Sequence, residues 1–139
     1  YFSWFNKEHQ FPNRWPVELL QTTVPKIEAG LVVNYREWSG IIQWASRGRL
    51  QTLIDGRLYL FDREDWLLYD QIALGQLSVD KLEEVFSPVA FIVHCQYHAA
   101  LIELLELSPR WQRVTRDNCS SASQSAIFLP VDLQTSPPN

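Results

Sequence analysis

Residues 30–61, GLVVNYREWSGIIQWASRGRLQTLIDGRLYLF, decide how this chain is read. GLVVNY is apolar and β-branched, which predicts a strand; Trp38, Ile41, Ile42 and Ala45 then recur at helical spacing until Gly48 is placed to cap the helix. After it the pattern turns over Asp55-Gly56, a pair favoured in two-residue type I′ turns because both residues take positive φ. The turn predicts a hairpin over residues 49–61 that opposes Ile54 to Arg57, Thr52 to Tyr59 and Leu50 to Phe61, with Leu53 and Leu58 on the other face. Both faces are largely apolar, so the hairpin is expected to pack on both sides.

Working outward, Pro16 suits the first turn of a helix carrying Val17, Leu20, Val24 and Ile27, which Pro25 bends or ends. Asp62 is a predicted N-cap, Glu64 and Asp65 favour the positive helix start, and Trp66, Leu67, Tyr69 and Ile72 form the stripe behind them. Ser78 is placed to cap VDKLEEVF. VAFIVHC reads as a buried strand, YHAALIELLEL as a helix, and WQRVT and AIFLPVDL as two strands around the polar loop RDNCSSASQS. Residues 1–15 predict an aromatic-rich arm and residues 132–139 a disordered tail. The order predicts a single α+β domain over residues 1–131, with a mainly antiparallel sheet packed against short helices. For the last fifty residues the alternative is an α/β arrangement, one right-handed crossover from VAFIVHC through a helix to WQRVT.

The 139 residues are 46% hydrophobic and 20% charged, which is globular rather than disordered composition. No apolar run approaches the ~20 residues of a membrane-spanning helix, so no membrane partner is expected, and a cytoplasmic setting is. The net charge of −4 gives no general attraction to polyanions. No Gly-rich phosphate loop is present, and no cofactor is expected.

Positive charge gathers around the predicted hairpin at Arg36, Arg47, Arg49, Arg57 and Arg63, interleaved with Trp38, Trp44 and Tyr59. Trp, Tyr and Arg are the side chains that dominate protein–protein hot spots. The expectation is a small non-catalytic adaptor or regulatory domain that binds another protein through Arg36, Trp44, Arg47, Arg49, Arg57 and Tyr59.

The run from Trp44 through Arg47-Gly48-Arg49-Leu50, the Asp55-Gly56 turn, Phe61 and Arg63-Glu64-Asp65 resembles the winged-helix core of excisionase and MerR-type DNA-binding domains, over about residues 36–70. The resemblance implies a recognition helix over residues 37–47 in the major groove and a wing whose Arg57 meets phosphate or the minor groove. KIEAGLVVNY offers no counterpart to the family's first helix, and Glu37, Asp55, Asp62, Glu64 and Asp65 offset the arginines. DNA is therefore ranked as the alternative partner.

HCQYH places His94, Cys95 and His98 within five residues, and Asp117 and Cys119 follow in the polar loop. A Cys/His enzyme or a metal site is the second alternative, with Cys95, His98, Asp117 and Cys119 as candidate ligands and His98 as a base for Cys95. His94 and Cys95 point to opposite faces of a strand, which leaves the four-ligand set incomplete. The default expectation is two reduced thiols, with one bridge between them as the alternative, no bound metal and no catalytic residues.

Overall fold

The computed structural model describes residues 17–53, 63–114, 119 and 124–131. Among them, helices α1 (Val17–Thr23), α2 (Ser39–Ser46), α3 (Arg63–Ala73), α4 (Val79–Phe86) and α5 (Ala99–Leu107) accompany strands β1 (Gly30–Asn34), β2 (Leu50–Thr52), β3 (Ala90–His94), β4 (Trp111–Arg113) and β5 (Ser125–Pro130). The strands form one sheet in the order β2-β1-β3-β5-β4, making a single α+β domain.

The sheet is mixed, which corrects the mainly antiparallel expectation. β1 lies parallel to both β2 and β3, and only the β3–β5 and β4–β5 pairings are antiparallel. The reason lies in α2: a helix between adjacent strands returns the chain to the starting edge, so β2 must run alongside β1 in the same direction. Leu50 thus pairs with Gly30 and Thr52 with Val32. Residues 54–61, which carry the second arm and turn of the predicted hairpin, lie outside the described residues, as do the 1–15 arm, the Asp62 cap and the 132–139 tail.

Strand alternation sends side chains to two cores. Val32, Ala90, Ile92, Ile127 and Leu129 pack with Leu20, Val24, Ile27, Trp38, Ile41 and Ile42 under α1 and α2. Val33, Phe91, Val93, Ala126 and Phe128 pack with Ile72, Leu82, Leu101 and Leu105 under α3, α4 and α5. VAFIVHC reads as a continuous apolar run because helices cover both of its faces. The crossovers are mutually consistent in hand. The step from β1 to β2 passes one face through α2, while the steps from β2 to β3 and from β3 to β4 move the opposite way over the other face. One hand serves all three, as expected of strand–helix–strand units. β3 and β4 are parallel with β5 between them, so the crossover foreseen for the last fifty residues is present with one strand inserted.

Local signals explain the element ends. Ser78 Oγ accepts from the backbone N–H of Lys81 at 3.1 Å, as a capping serine should. The N–H of Gly48 reaches the carbonyl of Gln43 at 3.0 Å, and Arg47, at φ 55°, occupies the left-handed position at the end of α2. Pro25 turns the chain into a 3₁₀ helix, Val24–Lys26.

Candidate functional site

The chain leaves β1 over one face of the sheet and β3 over the other, so the carboxyl ends of these neighbours form the point where winding reverses. Such points create a crevice in open sheets. Here the crevice is filled by aromatic rings from NYREW, α3 and HCQYH. Asn34, fully buried, donates to the carbonyl of Tyr35 at 2.8 Å and to Ser39 Oγ at 2.9 Å, and its Oδ1 accepts from the N–H of Leu53 at 3.0 Å. The amide thereby ties the ends of β1 and β2 to the start of α2. Tyr69 Oη accepts from the N–H of Arg36 at 2.7 Å, which docks α3 on the same edge, and the Arg36 guanidinium lies over the Trp66 ring at 5.3 Å.

Both histidines are held neutral. Nδ1 of His94 accepts from the N–H groups of Gln96 and Tyr97, and Nδ1 of His98 accepts from the N–H of His94, so each ring carries its proton on Nε2. His98 is fully buried and its Nε2 has no hydrogen-bond partner among the described residues; the rings of Tyr35, Tyr69 and Tyr97 stand nearly perpendicular to it, with centroids 6.0, 5.9 and 4.9 Å away. Burial, with a smaller contribution from His94, pushes the His98 pKa down to about 3. Burial also lowers His94, against the pull of Glu37. The hydroxyls of Tyr69 and Tyr97 are raised, chiefly by burial, and for Tyr97 also by donation to Asp70. Among the described residues this edge therefore presents, at neutral pH, uncharged rings beside the Arg36 guanidinium and the Asp70 carboxyl group.

Cys95 and Cys119 are joined in a disulfide, with Cα atoms 5.9 Å apart, which corrects the expectation of two reduced thiols. The β3–β5 register brings the end of β3, which Cys95 follows, beside the start of β5, which Cys119 precedes. In this state neither sulfur is a thiolate nucleophile or a metal ligand. Among the described residues no three His, Cys, Asp or Glu side chains are grouped to hold a metal ion; Asp117 lies outside them.

The predicted partner-binding residues divide between two edges. Arg36 follows the carboxyl end of β1. Trp44, Arg47 and Arg49 sit at the opposite edge, where the N–H of Gly30 bonds to the carbonyl of Arg49, about 20 Å of extended strand away. Arg49, although exposed, is tied to the fold: Nη1 donates to the carbonyl of Ile27 at 2.7 Å and Nη2 to that of Val24 at 3.0 Å, closing the 3₁₀ turn. Trp44 is 48% exposed on the outer side of α2, whose inner side buries Ile41 and Ile42. With Gln21, Ala45 and the exposed Arg47 it lines a cleft of about 440 Å³ between α1 and α2. Arg57 and Tyr59 lie outside the described residues. The sequence reading missed the ring cluster of Tyr35, Tyr69 and Tyr97. Its available signal was positional, since NYREW and HCQYH each begin at the end of an apolar strand.

No protein-family model matches the chain, and neither does any curated protein or any solved structure. Among the described residues, no helix is long and apolar enough to cross a membrane.

Proposed function

We propose that this chain is a small non-catalytic adaptor or regulatory domain that docks another protein on the outer face of α1 and α2, with Trp44 and Arg47 as its anchors. The observation that carries the reading is the half-exposed indole of Trp44 beside Arg47 in the α1–α2 cleft. A large ring with an adjacent guanidinium offers area and a planar donor fork, the combination that makes interface hot spots. Lys26, exposed at the same edge, adds a second positive charge. The partner is accordingly expected to present an apolar contact flanked by carboxylates. Oxidation of Cys95 and the neutral, buried state of His98 favour binding over nucleophilic chemistry at the other edge.

The test is quantitative capture from cell extract with the full chain, Trp44→Ala/Arg47→Glu, and the remote Lys81→Ala as control. The expected result is a polypeptide retained equally by wild type and control and at least about tenfold less by the double variant, a loss of ~1.4 kcal/mol or more. Retention by all three, or capture that nuclease treatment abolishes, would refute docking through this face. The second outcome would favour the nucleic-acid alternative instead.

A further inference from the structure

The two sulfurs of the disulfide sit in unlike surroundings. Sγ of Cys119 accepts a hydrogen bond from Nη2 of Arg113 at 2.9 Å, and Arg113 is itself held by Glu106 on α5 through Nη1 at 3.0 Å. The guanidinium is largely shielded, with 15% of its side chain exposed, so its charge acts on the sulfur with little solvent screening, although Glu106 takes part of it. Among the described residues no cation is bonded to Cys95; it packs against the apolar cluster of Phe91, Val93 and Leu101, and its N–H is bonded to the carbonyl of Gln124 at 2.7 Å. Both cysteines are partly exposed. Cys119 also holds a left-handed backbone, φ 72°, costly for a residue with a Cβ.

We propose that Cys95–Cys119 is a thiol-exchange site of fixed polarity, in which a small thiolate of the glutathione class attacks Sγ of Cys95 and Cys119 departs as the thiolate beside Arg113. The incoming sulfur forms the new bond to Cys95, and the electron pair of the broken S–S bond goes to Cys119. The product is a mixed disulfide on Cys95. A second thiolate of the same class then attacks the reductant's sulfur, releases its oxidised disulfide and leaves Cys95 to take a proton from water. Two electrons pass from the two thiols to the protein. The polarity follows because exchange is faster when the sulfur that leaves is the better-stabilised anion, and a neighbouring guanidinium stabilises a thiolate. Cys95 is thereby the site of S-thiolation.

The oxidised full chain is incubated with millimolar reduced glutathione at pH 7.5, quenched with iodoacetamide, and mapped by peptide mass spectrometry. The expected product carries glutathione on Cys95 and carbamidomethyl on Cys119. The inverse pattern, an even mixture, or no adduct at any time overturns the proposal. In parallel, Arg113→Gln should slow the appearance of that product about threefold to tenfold, and Arg113→Lys should recover most of the rate. Equal rates in all three chains, with melting curves showing them folded, also overturn it. If Arg113→Gln does not fold, the adduct position in wild type decides alone.

Discussion

The backbone N–H of His94 donates to Nδ1 of His98, 3.3 Å away. That bond places the remaining ring proton of His98 on Nε2, in a buried setting lined by three tyrosine rings. The folded chain therefore binds no proton at Nδ1 until about pH 3, whereas the unfolded chain binds one near pH 6.5. Between these values the unfolded state holds more protons. Stability is fully present above pH 6.5 and is lost as pH falls toward 3, at a limiting slope of about 1.4 kcal/mol per pH unit. His98→Asn, whose Oδ1 can accept from His94, removes the titrating group. Chemical denaturation from pH 7 to 4 should show a shallower fall for the variant; parallel curves would contradict the assignment.

Gly30 lies against Val89: a Cβ at position 30 would stand 2.7 Å from Val89 Cγ1. Gly30→Ala should cost roughly 1–3 kcal/mol, because the added methyl can enter only by shifting Val89 and because φ 154° is a backbone conformation that L residues rarely adopt. Val89→Ala opens that space. The double variant should lose less than the sum of the two single losses, by about 0.5 kcal/mol or more in a double-mutant cycle. Strict additivity would show that the close approach is not what excludes alanine.

Arg47 and Arg49 are two residues apart and should behave oppositely in denaturant. Arg49→Ala leaves the carbonyl of Ile27 without its charged donor and should cost about 1–3 kcal/mol. Arg47→Gly relieves a left-handed residue at the end of α2 and should leave stability unchanged or raise it by up to about 1 kcal/mol. The contrast separates the arginine that holds the fold from the one proposed to meet a partner. Equal destabilisation by both changes would erase that distinction.

Reduction of Cys95–Cys119 opens a bridge between residues 24 apart in sequence. In the chain-entropy account a loop of that size stabilises by roughly 3 kcal/mol, so Cys95→Ser/Cys119→Ser and reduced wild type should unfold at similarly lower denaturant concentrations. Coincident transitions for oxidised and reduced chains would show that the bridge constrains nothing in the unfolded state.

These positions also show what a reader of the chain can and cannot see. Ile41 and Ile42 at helical spacing, Ser78 before VDKLEEVF and the unbroken apolar run around Phe91 and Ile92 report local structure, because burial and capping leave marks on neighbouring residues. The direction of β2 does not: Leu50–Thr52 is equally consistent with either neighbour, and Asp55-Gly56 argues for antiparallel pairing by a short-range rule. The parallel partner is chosen by where α2 delivers the chain. The disulfide was hidden for a similar reason, since Cys95 and Cys119 meet only through the β3–β5 register. Arg49 looked like a surface charge; only the carbonyls of Val24 and Ile27, more than twenty residues upstream, reveal its structural role.

Docking on the α2 face is tested most directly by site-specific photocrosslinking. Benzoylphenylalanine is placed at position 44, within the α1–α2 cleft, and separately at position 103 on the exposed side of α5. Both chains are irradiated in cell extract, and the adducts are treated with nuclease or protease. Position 44 should yield a discrete adduct that survives nuclease, disappears with protease, and is absent from position 103. A nuclease-sensitive adduct at position 44, or the same adducts from both positions, would contradict protein docking through Trp44 and its cleft.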